Sequence, residues 1–414
     1  MKNFFATLIA LMSLSSFACA DNEPLPAIDP EPPRNLSTSV DEFCWNYFGT
    51  LNRDENIFYS PYGINAALSI LANGAIDDTR TEILHALAAD NVDNLNDEHK
   101  TFAEFVAKKY RGDNFFAEAN LLLIDKKFFT RGLDKNFRRI VTTAYKSDVR
   151  EADFENDVDG VKKKISAWVK DKTNNFIPDY ESIATPGTVT DLLNVVYFKG
   201  TWKMPFNERA TERQDFTNRD GSKVKVDMMS KTFDETIVYR ADEKFCGIEL
   251  PYSDNAAMYV ILPVDENALN AAELWHNQTL GYREDFLNGL RNSSRFNGKV
   301  VVHLPKFELD VENSLVENLK AMGVKKSFTD AAQFTKIING TTLKIDNAKH
   351  RAKVKVDEQG TKAAAVTEVV MVETTAAPDI EPRIVYFNAD RPFIFVIRDV
   401  ETNITLFAGA VNKF

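Results

Sequence analysis

The chain has 414 residues, of which 44% are hydrophobic and 27% charged, and its formal net charge is −11. This length and apolar content are enough for a large hydrophobic core. The negative charge argues against a nucleic acid or another polyanion as the main partner, because phosphate binding needs a basic surface.

The N-terminus has the pattern of an export signal. Lys2 precedes an apolar stretch at residues 4–14, which is too short to span a bilayer and typical of a signal peptide. We therefore predict that residues 1–19 are a signal peptide. Cleavage can follow the small-residue site at 18–20, or Cys19 can become the lipidated first residue, because the residues before it resemble a relaxed bacterial lipobox.

A proline-rich segment follows the signal. Residues 20–38 contain five prolines and several acidic residues, a composition that stays extended and disordered. A cysteine followed by such a tether is what a surface lipoprotein needs, so we favour a lipid anchor at Cys19 over plain secretion. Both interpretations predict an extracellular or cell-surface protein that contacts membrane only through a lipid. Residues 39–414 are expected to form a single domain.

Hydrophobic periodicity separates a helical first half from a second half rich in strands. The predicted helices are 40–52, 60–75, 78–88 and 159–173. The predicted strands are 189–199, 245–250, 257–263, 299–309, 350–357, 384–387, 393–398 and 404–411. Helices followed by strands in one chain predict an α+β fold with large, mostly antiparallel sheets. Residues 191–198 (DLLNVVYF) have apolar side chains at both odd-numbered and even-numbered positions, which predicts a central strand covered on both faces.

Two cysteines remain if Cys19 carries a lipid. Cys44 lies on an apolar helical stripe with Phe43 and Tyr47, and Cys246 alternates with apolar residues in a strand-like run. Both are predicted to be buried free thiols. A disulfide between them is the open alternative.

Common motifs of enzymes are missing from the sequence. It contains no G-x-S-x-G, H-E-x-x-H, paired C-x-x-C, Walker or G-x-G-x-x-G motif. The histidines stand singly, at positions 85, 99, 276, 303 and 350. We expect no enzyme activity, metal or cofactor, with a catalytic triad dispersed along the chain as the alternative.

A segment near the C-terminus combines the patterns of a strand and of an exposed loop. After Gly360, uncharged residues take every odd position from 361 to 371, and the charged Lys362 and Glu368 take even positions. This alternation is typical of a strand with one buried and one solvated face. Residues 374–378 are small and prone to turns, as in a loop. The segment is either a short edge strand with a loop, or a loop that becomes a strand in a second state.

Motifs spread over residues 37–414 favour the second interpretation. In chain order they are NIFYSP (56–61), NVVYFKGTW (194–202), LPY (250–252), LPKF (304–307), HRA (350–352), DEQGT (357–361), DRPF (390–393) and FAG (407–409). In this order they resemble the serpins, a superfamily of serine protease inhibitors, here of a bacterial secreted or lipoprotein type. The resemblance implies an α+β serpin fold with three β-sheets, eight to nine helices and an exposed reactive-centre loop at about 358–382.

The same resemblance implies a mechanism of inhibition. A protease attacks the loop and forms an acyl-enzyme, and the cleaved loop then inserts into the main sheet and distorts the protease. The expected hinge residues are Glu358, Gly360, Thr361, Ala363, Ala364 and Ala365. A charge at position 361 would be buried unpaired, and small residues after it can pass between parted strands. Non-inhibitory serpins commonly have bulky, charged or proline residues there, so inhibition is favoured over the alternative of a binding or carrier protein.

Further roles carry over from the family motifs. Ser60, Asn194 and His350 match the shutter beneath the sheet centre, where hydrogen bonds hold the strands closed. A second hydroxyl residue usual in that motif is replaced by Gly63. Trp202 and Lys306 match the breach where the loop enters, and Lys306 is expected to lie within salt-bridge distance of Glu358.

Family spacing also places the bond that the protease cleaves. Counting from Glu358 puts it between Thr374 and Thr375, within a window of about 370–377 because the following segment is longer than usual. No Arg or Lys lies between Lys362 and Arg383. The expected target is therefore a serine protease with a small-residue pocket, elastase-like or subtilisin-like, with a papain-like cysteine protease as a further option. The inhibitor itself is expected to be a monomer.

Overall fold

A computed structural model describes residues 34–110, 115–234, 236–253, 255–361 and 383–414. Its α-helices are α1 (Arg34–Thr50), α2 (Pro61–Gly74), α3 (Asp77–Ala86), α4 (Val92–Lys109), α5 (Lys126–Phe129), α6 (Lys135–Ala144), α7 (Val158–Lys172), α8 (Ala271–His276), α9 (Leu280–Asn292) and α10 (Val316–Ala321). The described residues thus hold ten helices rather than eight or nine, and several of the ten are as short as one or two turns.

The strands are β1 (Ile57–Tyr59), β2 (Phe115–Asp125), β3 (Asp148–Ala152), β4 (Thr190–Thr201), β5 (Glu212–Thr217), β6 (Lys223–Asp234), β7 (Val238–Ala241), β8 (Phe245–Pro251), β9 (Ala256–Pro263), β10 (Lys299–Pro305), β11 (Phe307–Ser314), β12 (Asn347–Asp357), β13 (Gly360–Thr361), β14 (Ile384–Asn388), β15 (Phe393–Asp399) and β16 (Thr405–Val411). They form three sheets, which confirms the predicted α+β class. The strand orders are β1-β16-β15-β9-β8-β7, β14-β10-β6-β5 and β11-β12-β13-β4-β2-β3. The last of these is called the main sheet below.

The main sheet is covered on both faces. One face of β2 and β4 joins the large core that also contains α1 and α2, and the other face packs with α7 in a smaller core. Strand β4 is accordingly buried along almost its whole length. This confirms the prediction for residues 191–198, because alternate side chains of β4 enter two different cores.

Helix α2 carries the beginning of the shutter motif into this core. Ser60 is its N-cap, and the Ser60 hydroxyl accepts a hydrogen bond from the backbone N–H of Gly63. Pro61 follows as the first helical residue, where a missing N–H costs nothing. All residues of α2 are buried, and the Ser60 backbone at its start contacts His350 of the main sheet.

Two boundaries differ from the sequence expectations. Helix α1 begins at Arg34, so residues 34–38, predicted as part of the tether, are helical. The predicted strand 299–309 is two strands, β10 and β11, which belong to different sheets. The buried apolar positions change from even-numbered (Val300, Val302 and Leu304) to odd-numbered (Phe307 and Leu309) across Pro305 and Lys306. This break in the alternation marks the change of sheet that the single predicted strand overlooked.

The two described cysteines are free thiols, as one of the two interpretations predicted. Cys44 is fully buried beside the Tyr59 hydroxyl, and burial raises the pKa of its thiol. Cys246 is partly exposed rather than buried, and burial raises its pKa to about 11. Within the described ranges, no helix is long and apolar enough to cross a membrane. Among those same residues, no group of three His, Cys, Asp or Glu side chains is placed to hold a metal ion.

Candidate functional site

At one end of the main sheet, the two-residue strand β13 lies between the central strands β12 and β4, and we call this arrangement the wedge. Strands β12 and β4 pair directly and in parallel from Asn347 with Asp191 up to Lys353 with Tyr197. Beyond this point β13 lies between them and pairs antiparallel with both. The two residues of β13 therefore start a new central strand at one end of the sheet, while the rest of the sheet is closed.

Gly360 makes the turn into this wedge. Its φ is +139°, a conformation that residues with a Cβ rarely adopt. A Cβ at this position would lie 2.1 Å from the carbonyl oxygen of Gly200 on β4. The predicted hinge position thus needs glycine for its backbone conformation and for its close approach to β4.

Thr361 is the first side chain inside the sheet. It is fully buried, and its hydroxyl shares a 2.7 Å hydrogen bond with the hydroxyl of Tyr252. The Tyr252 ring stacks on Trp202 with centroids 4.4 Å apart. Trp202 in turn donates from its indole N–H to Asp357 O at 3.0 Å, and from its backbone N–H to Gln359 O at 2.9 Å. The predicted breach residue Trp202 therefore fixes the backbone of residues 357–359, which lead into the turn at Gly360.

Glu358 anchors the same turn from the side. Its carboxylate lies 2.9 Å from the ammonium of Lys306 and accepts a 2.7 Å hydrogen bond from the Thr211 hydroxyl. The predicted salt-bridge distance is confirmed. Burial pushes the pKa of Glu358 upward, but the hydrogen bonds from Thr211 and Lys306 outweigh it and leave the pKa below its usual value. The Glu358 side chain is 7% exposed and that of Lys306 is 36% exposed. The carboxylate therefore has little contact with water and needs Lys306 to compensate its charge, whereas the ammonium is still hydrated.

The predicted shutter residues meet below the wedge. The backbone N–H of Ser60 donates to His350 Nε2 at 2.9 Å, so this nitrogen carries no proton. His350 Nδ1–H then donates to Asn194 Oδ1 at 2.7 Å. His350 lies on β12 and Asn194 opposite it on β4, so this bond joins the two strands that enclose the wedge. Burial lowers the pKa of His350 to about 3, which keeps the ring neutral at physiological pH.

Two residues that the sequence analysis missed extend this network to β2. The amide nitrogen of Asn194 donates to Asn120 Oδ1 at 2.8 Å and to Glu118 Oε1 at 3.1 Å. The Asn120 amide donates to the same oxygen of Glu118. The sequence held part of the signal, because Glu118 and Asn120 alternate with the core residues Phe116 and Leu122 and so lie on the core face of β2, but alternation does not identify their partner Asn194.

The remaining predicted site residues lie outside the described ranges. They are the hinge alanines Ala363, Ala364 and Ala365, the predicted cleavage site Thr374–Thr375, and the lipidation residue Cys19. Their roles stay predictions from the sequence.

Comparisons with known proteins agree on one family. The family model described as Serpin (serine protease inhibitor) matches residues 38–414. Iripin-1 of Ixodes ricinus is 33% identical over 369 residues, which cover 87% of this chain and 89% of that protein. Most of the similar curated proteins come from eukaryotes.

Solved structures give the same result. The thermophilic serpin tengpin in its native state superimposes with a TM-score of 0.79 at 27% identity, covering 91% of this chain and 93% of tengpin. Human thyroxine-binding globulin, solved as a complex with its ligand, gives a TM-score of 0.79 at 26% identity, covering 92% of this chain and 99% of that protein. The fold is thus shared with proteins of more than one function.

Proposed function

Because the chain belongs to the serpin family, we propose that it is a suicide-substrate inhibitor of serine endopeptidases, with cysteine endopeptidases as a further class. The protease serine attacks the carbonyl carbon of the scissile bond, the amine of the following residue leaves, and an ester joins the protease to the loop. Insertion of the loop into the main sheet then carries the protease away from the geometry that deacylation needs. Catalytic chemistry belongs to the protease, so the inhibitor itself needs no active site.

The burial of Thr361 between β12 and β4 is the observation that carries this proposal. The first residue of the predicted inserting segment already makes strand pairs with both neighbours. Each further residue that enters adds ladder hydrogen bonds, at about 1 kcal/mol net for each bond. Once the loop is cut, insertion is therefore a continuation of a strand that has already begun.

The register of β13 supports this continuation. Thr361 lies opposite Val356 on β12 and opposite Gly200 on β4. Extended residue by residue, the same register would place Thr367 opposite both His350 and Asn194, which face each other in the closed sheet. Thr367 shares the parity of Thr361, so its small hydroxyl side chain would enter the shutter as the two partners separate.

The alternative is a non-inhibitory binding or carrier protein, as the name of thyroxine-binding globulin describes that relative. The fold does not separate the two functions, because both occur on it. The hinge favours inhibition, since an uncharged Thr361 is followed by three alanines that can pass between parting strands.

The target follows from the loop sequence. We assign cleavage to Thr374–Thr375, within 370–377, and expect a protease whose pocket accepts small side chains, elastase-like or subtilisin-like. We also propose that residues 1–19 direct export and that Cys19 carries a lipid. The bacterial lipoprotein type inferred from the sequence receives no support from the mostly eukaryotic relatives, and the export proposal rests on residues 1–38 alone.

Incubation with elastase-like, subtilisin-like, trypsin-like and papain-like proteases, followed by denaturing gels, tests the function. A covalent complex that survives denaturation is expected with at least one of the first two, and none after the protease serine is blocked. Thr361→Arg should convert the inhibitor into a substrate, whereas Thr361→Ser is the matched control that should still form the complex. If every protease cuts the loop and stays fully active, the protein is not an inhibitor.

A further inference from the structure

Position 63 leaves no space for a side chain beside Asn194. A Cβ on Gly63 would lie 2.7 Å from Asn194 Oδ1 and 2.5 Å from the Cγ2 atom of Val196. Helix α2 therefore offers no side chain at position 63 to orient the Asn194 amide. The partners that orient this amide lie on the other side, on β2.

Those partners are Glu118 and Asn120. Both N–H groups of the Asn194 amide point toward them, at 3.1 Å to Glu118 Oε1 and 2.8 Å to Asn120 Oδ1. If the amide were reversed, its oxygen would face these two acceptor oxygens, and its nitrogen would face the Nδ1–H of His350. The position of Glu118 thus determines that Asn194 presents an oxygen to His350.

This orientation matters because the bond of Asn194 to His350 crosses between β4 and β12. In the register of β13, position 364 would lie opposite Lys353 and Tyr197, so these two strands must part before residues from 364 onward can enter the sheet. Hydrogen bonds in a chain polarise one another, so donation by Asn194 to Glu118 also makes its oxygen a better acceptor for His350. Glu118 itself lies on β2 and contacts neither His350 nor the wedge through any described hydrogen bond.

We propose that Glu118 is a positioning residue for loop insertion, which holds the Asn194 amide and thereby sets how firmly β12 and β4 stay together. The inference deepens the proposed inhibitory function and rests on it for its biological meaning. Opening of the sheet can nevertheless be measured without any protease.

The charge state of Glu118 gives this role a signature. Glu118 is partly buried, and this burial raises its pKa to about 8, although hydrogen bonds from Asn120 and Asn194 act in the other direction. Opening of the sheet admits water to Glu118 and lets its carboxyl group ionise more easily. Opening should therefore become easier as the pH rises toward about 8. Protonated Glu118 therefore stabilises the closed sheet at low pH, and this stabilisation is lost as the pH rises through about 8.

The histidines and tyrosines around Glu118 do not change charge in the same interval. Burial lowers the pKa of His350 on β12 and of His99 on α4 to about 3. Burial also raises the pKa values of Tyr62 on α2 and of Tyr145 after α6 above their usual range. Asp191 has a pKa of about 7 because of burial, but it has the parity of the β4 residues that face α7. Replacement of Glu118 alone is needed to separate the two carboxyl groups.

The test is uptake of a synthetic peptide with the sequence of residues 361–374 into the intact protein, followed on native gels from pH 6 to pH 9. Glu118→Leu should take up the peptide about tenfold faster than the wild type, because the acceptor that orients Asn194 is lost. Glu118→Gln keeps that acceptor and should stay within about twofold of the wild type at pH 6. Phe116→Leu, on the same face of β2, is the control for general loosening of the core.

Uptake by the wild type should accelerate between pH 6 and pH 9, and uptake by Glu118→Gln should not. The inference is overturned if Glu118→Leu is no faster than Phe116→Leu, or if Glu118→Gln keeps the wild-type pH profile. If Glu118→Leu does not fold, the pH profiles of peptide uptake by the wild type and by Glu118→Gln are sufficient to test the role of Glu118. The role of Glu118 is also refuted if the wild type takes up no peptide at any pH. If the protein takes up the peptide but forms no covalent complex with a protease, only the proposed inhibitory function is refuted.

Discussion

Thr361 of the main sheet and Tyr252, which follows β8 of another sheet, share a 2.7 Å hydrogen bond between two side chains that are 109 residues apart in the chain. Both side chains are buried, and Tyr252 lies against the breach residue Trp202. The bond therefore connects the start of the hinge to the position where the loop is expected to enter.

This bond can be measured by a double-mutant cycle. Tyr252→Phe and Thr361→Val each leave one buried hydroxyl without its partner, which should cost about 1–2 kcal/mol of unfolding free energy. The double variant removes both hydroxyls and should cost clearly less than the sum of the two single variants. Equilibrium denaturation gives all four values. Strict additivity would show that the two hydroxyls do not interact.

Replacement of Gly360 should disturb the wedge more than replacement of another glycine with positive φ. Gly360→Ala combines an unfavourable backbone conformation with a Cβ 2.1 Å from a backbone oxygen, whereas a Cβ at Gly221, whose φ is +84°, meets nothing within 4 Å. We expect Gly221→Ala to cost about 1 kcal/mol and Gly360→Ala several times more, with faster proteolysis of the hinge. Equal effects of the two variants on the unfolding free energy and on proteolysis would refute the close approach to β4.

The pair of Lys306 and Glu358 should make the hinge sensitive to acid. The pKa of Glu358 is held below its usual value in the folded protein, so its contribution is complete above about pH 4.5 and is lost as the pH falls through the lowered pKa. Lys306→Met should reduce the unfolding free energy at pH 7 by about 1 kcal/mol and have a smaller effect at pH 3. Lys353→Met is a useful control, because that lysine pairs with carboxylates of β11 away from the hinge. A loss for Lys306→Met that is the same at both pH values would count against this assignment.

Much of this site could be predicted because its residues lie in contiguous motifs. Ser60, Asn194, Trp202, His350 and Glu358 each belong to a short stretch whose composition identifies it. The structure brings them to the middle and to one end of the interface between β4 and β12. Strand positions followed from periodicity, since buried strands such as β4 have apolar residues on both parities.

Other features depend on packing that periodicity does not contain. Glu118 and Asn120 are two polar residues among the apolar residues 115–124 of β2, and only the pairing of β2 with β4 brings them to Asn194. The wedge at Gly360 depends on which strand lies next to β12. A change from even-numbered to odd-numbered buried positions between Leu304 and Phe307 marks the separation of β10 from β11, but the sheet that each strand joins depends on packing.

Loop insertion can be measured most directly by thermal unfolding of the protein before and after its loop is cut by any protease that leaves the rest intact. A strand that extends from Thr361 past the shutter adds on the order of 10 kcal/mol, so the cleaved protein should unfold roughly 10 °C higher or more. Thr361→Arg should lose most of this increase. A cleaved wild-type protein that unfolds at the same temperature as the intact one, or below it, would contradict insertion of the loop into the main sheet.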